Sequence, residues 1–193
     1  MNIIYFIFIF FITQMALATN KKNCIYFSKP QDISVKFTAF KTFLKLGVGG
    51  KFTKFELEKV SGKTILEASK KAKFKIYTDS LVTGDEERDE KIKKFFFSTM
   101  ISGSFIKGSV RKIDSKNNLL ILTIEMNNEE MDIPLQYSIT KNTLSANGII
   151  DMFDWNLEDN LKNINKACNE KHEKKTWNDA NIYLKVKFQK NCQ

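Results

Sequence analysis

The chain has two prolines, eight glycines, one histidine and three cysteines in 193 residues. With so little proline and glycine, and no repeat or low-complexity tract, no linker is available to divide it, so one continuous domain is expected. The lone His172 lies in NEKHEKK and cannot complete a Cys/His zinc site, and C-x-x-C spacing is absent. A Ser/His or Cys/His nucleophilic pair would have only that histidine to use. Asp151 and Asp154 beside Trp155 resemble paired carboxylates, but acids there more often cap a helix, here one beginning near Asn156. No metal, cofactor or enzymatic activity is therefore expected. Gly47, Gly49 and Gly50 in KLGVGGKF lack the strand–turn–helix setting of a phosphate loop. They are read as permitting a bend or bulge in a long strand.

An apolar run long enough to span a membrane is also missing. Ile3 to Ile12 is unbroken, yet short of the about 20 residues a helical span needs. No Asp, Glu, Lys or Arg occurs in residues 1–18, which end Ala16-Leu17-Ala18. That pattern predicts a signal peptide over 1–18 with cleavage after Ala18, leaving a domain over 19–193 that is periplasmic or secreted. The whole net charge of +9 then falls on the exported part. Its lysines are dispersed, so the bland reading is a solvated basic surface; a transient contact with anionic membrane is the alternative. No nucleic-acid motif accompanies the charge, and no nucleic-acid partner is expected. Export permits a disulfide, and an odd cysteine count leaves Cys24–Cys192 and Cys168–Cys192 both open.

What the chain does have is alternation. Over 131–139 the residues Met131, Ile133, Leu135, Tyr137 and Ile139 alternate with Asp132, Pro134, Gln136 and Ser138. The same period of two runs through 33–38, 73–77 and 182–189, which predicts antiparallel strands with one dry face. Further strands are expected over 44–60, 99–113, 118–127 and 143–152. Leu157, Leu161, Ile164 and Cys168 fall on one stripe of a helix within 156–171, and Thr64 caps a shorter helix over TILEASKKA. The fold class is mainly β: an antiparallel barrel of about eight strands with one or two short helices, wide enough inside for a small ligand.

Residues 83–97, TGDEERDEKIKKFFF, place a run of charge directly against three phenylalanines. Asp85 can cap a short solvated helix with Glu86 and Glu87 at its start and Lys93 and Lys94 at its end. Glu87–Lys91 and Glu90–Lys94 are spaced to pair along it, and Phe95–Phe97 would return into the barrel wall. Thr83-Gly84, Arg88-Asp89 and Phe95-Phe96 resemble the T-G-N-x-x-R-D…F-F signature of the YceI-like family, with Asp85 in place of the usual Asn. VKFTAFKTFLKLGVGGKF (35–52), INKAC (164–168) and KTWNDANI (175–182) are similar to one branch of it. The family's His-containing first strand is replaced by FTAFKT, and its R-x-D-F-G-like segment by MFDWN (152–156).

The resemblance implies a lipocalin-like barrel that binds a polyisoprenoid or another long-chain amphiphile. It makes the chain a periplasmic carrier whose cargo is its only small-molecule partner; a homodimer is left open. The alternative is an exported stress or interaction protein working through its basic surface. Alternation assigns the cavity wall to Phe37, Phe74, Ile76, Phe105, Tyr137, Ile182 and Leu184. Phe40, Phe95, Phe96 and Trp155 are placed at the mouth. Arg88 joins them, either to meet a polar or anionic head or to pair with Asp89 or another acid and hold the helix in place.

Overall fold

The computed structural model describes residues 23–58 and 60–193, so the expected signal peptide over 1–18 lies outside the described residues. The chain runs through β1 (Cys24–Ser28), β2 (Ile33–Lys41), β3 (Leu46–Phe52), β4 (Phe55–Leu57) and β5 (Val60–Gly62). Helix α1 (Ile65–Ser69), β6 (Lys73–Tyr77), β7 (Leu81–Val82) and α2 (Glu86–Phe95) follow. Next comes a meander of β8 (Phe105–Asp114), β9 (Leu119–Met126), β10 (Glu129–Thr140) and β11 (Thr143–Asp151). Two helices, α3 (Glu158–Ala167) and α4 (Asn169–His172), lead into β12 (Thr176–Lys187) and β13 (Gln189–Cys192).

Ten strands form one antiparallel sheet in the order β4-β6-β8-β9-β10-β11-β12-β2-β3-β7. Its two ends meet through the chain itself. β3 and β4 lie near opposite ends of that order, yet only Thr53 and Lys54 separate them. At this break the backbone leaves its partner β7 and takes up β6. Thr53 N–H donates to the Ser80 carbonyl and Tyr77 N–H to that of Lys54, each at 3.2 Å, bridging the gap. The sheet is thus a curled barrel with eight staves if β3 and β4 are counted as one and the two-residue β7 as its edge. The finer strand count differs from the expected one because the 44–60 stretch changes partner midway.

Alternation dictates which side is dry. In β10, Ile133, Leu135 and Tyr137 are buried while Asp132, Pro134 and Gln136 face out. Ile139 continues the pattern beyond the end of the core and is exposed, which corrects its place on the dry face. The helices cover one end of the barrel. Leu157, Leu161, Ile164 and Cys168 form the predicted buried stripe of α3, and that helix packs on β12 and α2. The predicted 156–171 helix is shorter and interrupted: Asn156 takes a left-handed conformation (φ 54°) that turns the chain before it. Buried Asn160 fastens α3 to the segment after α2, donating to the Phe96 carbonyl at 3.0 Å and the Thr99 hydroxyl at 2.7 Å. Thr64 caps α1, accepting from Glu67 N–H at 3.1 Å.

A second, three-stranded sheet, β13-β1-β5, holds both ends of the described chain together. Cys24 faces Cys192 across the β1–β13 pair, and the two form a disulfide, leaving Cys168 free and buried.

Candidate ligand-binding cavity

The inner faces of the barrel and the undersides of α2 and α3 enclose a cavity of about 210 Å³. Phe37, Phe74, Ile76, Ile182 and Leu184 line it, as do Phe40, Arg88 and Phe96. Two of these rings lie over bare backbone on the neighbouring strand. Phe37 pairs across with Gly50, where a Cβ would come within 2.3 Å of the ring. Phe74 pairs with Gly108, where the distance would be 2.2 Å. The absent side chains let both rings lie against the wall instead of filling the lumen. Gly50 therefore serves ring packing and not the expected bend, since the β2–β3 register runs through it without a shift. An aromatic chain continues inward: Phe37 to Phe52 at 5.8 Å, Phe52 to Phe97 at 6.0 Å and Phe97 to Phe96 at 5.2 Å between centroids.

Four of the sequence-assigned residues do not line the cavity. β8 begins at Phe105, and its register pairs Ile106 with the inward-facing Ile76 and Phe105 with Tyr77, which sets Ile106 inward. Phe105 faces out beneath the Lys75 and Lys107 ammonium groups, 5.3 and 5.4 Å from its ring centroid. Tyr137 is buried in the core without lining the cavity, and Phe95, the last residue of α2, is half-buried against that core. Trp155 is not at the mouth. Strand alternation stops at Asp151, whose carboxylate accepts from Phe153 N–H at 2.9 Å and starts a short 3-10 turn over Met152–Trp155. That turn rolls the indole into the core, fully buried, and leaves Phe153 exposed. Asp151 also accepts from Asn178 at 2.7 Å, so it organises the rim.

Sequence reasoning passed over Trp177, Phe52, Phe97 and Cys168, all of which line the cavity. β12 begins at Thr176, and its pairing with β2 shifts between Thr176 and Ala180. That irregularity breaks the alternation that would have marked Trp177. Its indole N–H donates to the Thr42 carbonyl at 2.8 Å.

The charged lining residues are Lys36, Lys41 and Arg88, and no carboxylate is among the lining residues. Arg88 is fixed by Thr83: Nε donates to its hydroxyl at 2.8 Å and Nη2 to its carbonyl at 2.9 Å. Buried Asp89 accepts from Thr83 N–H at 2.9 Å and from the same hydroxyl. Arg88 and Asp89 are thus joined through Thr83 and not directly, and among the described residues Nη1 has no acceptor. This tie explains why T-G…R-D is one unit: it locks the first turn of α2 with the guanidinium facing the lumen.

The remaining charges of α2 are solvated. Glu87 pairs with Lys91 at 2.6 Å and with Lys171 of α4 at 3.4 Å. Glu90 pairs with Lys93 at 3.1 Å rather than with Lys94, whose ammonium lies 5.3 Å from the Phe95 ring centroid. Asp85 caps the helix, accepting from Arg88 N–H at 3.0 Å. That backbone hydrogen bond, foremost, holds its carboxyl below the usual value. A lowered folded pKa contributes stability above the unfolded value of about 3.9, lost as pH falls through the folded pKa. We therefore expect protection of the α2 amides, measured relative to their intrinsic exchange rates, to fall in that acid window. Asp85→Asn, which keeps an accepting oxygen, should remove Asp85's contribution to that acid sensitivity. A variant with undiminished acid sensitivity would assign it elsewhere.

The geometry defines a class: a curled antiparallel barrel with an apolar, cation-bearing internal cavity under two helices. A YceI-like domain model matches residues 26–188, and the chain belongs to the YceI-like family. No curated protein matches it. Among solved structures, it is similar to a polyisoprenoid binding domain from Saccharophagus degradans implicated in plant cell wall breakdown. The TM-score is 0.61 at 12% identity, covering 85% of this chain and 97% of that one. It is also similar to Burkholderia cenocepacia BcnA, with a TM-score of 0.57 at 14% identity, covering 82% and 98%. At these identities the likeness carries the fold.

Proposed function

We propose that the chain is a non-enzymatic, exported binding protein that holds a polyisoprenoid or other long-chain amphiphile, sequestering or carrying it through water. The observation that carries this reading is the cavity: its wall is hydrocarbon, aromatic ring and sulfur except for three cations and Thr176. Burying each methylene of a tail there is worth roughly 0.8 kcal/mol. At about 210 Å³ the space is below the roughly 300–1,000 Å³ usual for drug-sized ligands. It therefore suits one segment of a slender tail, with the head left at the cation-bearing rim. Arg88 supplies the head contact through Nη1, which has no acceptor among the described residues. Export is supported by the leader-like residues 1–18, and the Saccharophagus relative's description as polyisoprenoid binding agrees with the cargo class.

The test is a detergent-free titration with geranylgeraniol and geranylgeranyl phosphate. Both should bind the parent. Arg88→Leu should weaken the phosphate by about tenfold or more, as loss of a charged hydrogen bond implies, and the alcohol much less. Gly50→Leu drives the Phe37 ring into the lumen and should weaken both. Failure of the parent to bind either ligand, or indifference to Gly50→Leu, overturns the cavity assignment.

A further inference from the structure

The two most exposed large apolar side chains on the described chain are adjacent. Phe43 is 71% exposed and Leu44 80%, with Leu46 next to them at 50%. They sit on the turn from β2 to β3, at the barrel end where Phe40, Lys41 and Trp177 line the cavity. Side chains this apolar ordinarily find cover, and side by side on a turn they form a contact surface.

The turn is braced. Thr42 and Lys45 both adopt left-handed backbone conformations (φ 62° and 54°). Thr42 N–H donates to the Lys175 carbonyl at 3.0 Å, while its own carbonyl accepts from the Trp177 indole. Lys45 bonds Asp179 at 2.8 Å and its ammonium lies 5.0 Å from the Phe40 ring centroid and 4.8 Å from that of Trp177. The fold thus fixes this turn while leaving its two apolar side chains in water.

The surroundings select the occupant. Lys41, Lys174 and Lys175 flank the turn, and among the described residues none has a carboxylate within 4 Å, whereas Asp179 is neutralised by Lys45. An apolar tip ringed by cations that have no carboxylate partner among the described residues, Lys175 resting 4.6 Å from the Trp177 ring centroid, matches an anionic bilayer: the rings and methyls enter the headgroup–acyl boundary and the ammonium groups meet lipid phosphate. A second copy fits less well, because a two-fold contact would set the same lysines against each other on chains already at +9.

We propose that the β2–β3 turn is a membrane-docking tip for anionic bilayers. It seats this end of the barrel, where Phe40, Lys41 and Trp177 line the cavity, at the lipid surface, where cargo passes between bilayer and barrel. The exchange role rests on the amphiphile reading above; the docking itself does not.

The experiment is sedimentation with vesicles of phosphatidylglycerol and phosphatidylcholine, and with phosphatidylcholine alone. The parent should bind the anionic vesicles preferentially, and less as salt rises. The double variant Phe43→Ser/Leu44→Ser should bind about tenfold or more weakly, with an unchanged melting temperature and unchanged geranylgeraniol titration in the absence of vesicles. Lys174→Ser/Lys175→Ser should reduce anionic selectivity. Docking is overturned if the parent ignores anionic vesicles or if the Phe43/Leu44 variant binds as tightly as the parent. It is equally overturned if that variant instead abolishes self-association of the parent without any vesicle binding. Tip-dependent vesicle binding without prenol binding would sink the cargo reading and leave docking intact.

Discussion

Trp155→Ala is expected to lower the free energy of unfolding by about 3–5 kcal/mol, the range for a fully buried large aromatic. Trp155 is 0% exposed in the barrel core, on the 3-10 turn that packs against β10 and β12. Its indole N–H donates to the Ile124 carbonyl at 3.1 Å, and its own carbonyl accepts from Asn127 at 2.9 Å. Alanine removes the ring and strips the Ile124 carbonyl of that donor. Trp155→Phe separates the two effects: it keeps most of the packing and should cost only about 1–3 kcal/mol, the penalty of an unsatisfied buried polar group. Denaturant midpoints with unchanged slopes would report both values. A small shift for Trp155→Ala would mean that α3 collapses onto the vacancy and that the indole is not the keystone of the helix-covered end.

The second large effect is expected at the ends of the chain. The Cys24–Cys192 bridge has a sequence separation of 168, so it closes nearly the whole described chain into one loop. Constraining an unfolded loop of that length is worth about 5 kcal/mol in the chain-entropy view, within an observed range of about 2–5 for native bridges. Cys24→Ser/Cys192→Ser should therefore lower stability by several kcal/mol. It should also fray β1 and β13, the strands that carry the bridge, before the barrel opens. Reduction of the parent should reproduce this, whereas Cys168→Ala, which removes only the free thiol, should not. Equal stability of parent and double variant would show that the small sheet alone holds the termini.

What could be read in advance was local or strictly periodic. The strands of the meander followed from alternation because one face of each is wet. The caps at Thr64 and Asp85 followed from residues within one helical turn. The family signature was legible because Thr83, Arg88 and Asp89 act as one hydrogen-bonded unit. Misreadings arose where the phase of a pattern depends on a distant partner. Phe105 faces out because β8 pairs Ile106, and not Phe105, with the inward Ile76, and Trp155 faces in because a 3-10 turn replaces the strand. Trp177 was hidden by the irregular β12–β2 register. The Phe37–Gly50 and Phe74–Gly108 pairs join positions 13 and 34 residues apart, so no local rule marks either glycine as part of a cavity wall. The break between β3 and β4 likewise reflects a change of partner that the residues at 53–54 do not announce.

The central claim, that the apolar cavity holds an amphiphile, is most directly tested on protein purified without detergent from the cells that make it. Organic extraction followed by mass spectrometry should yield a long-chain isoprenoid or related amphiphile in near-stoichiometric amount, and much less from Gly50→Leu prepared alongside. Repeated recovery of no lipid from the parent, or equal lipid from parent and Gly50→Leu, would contradict it.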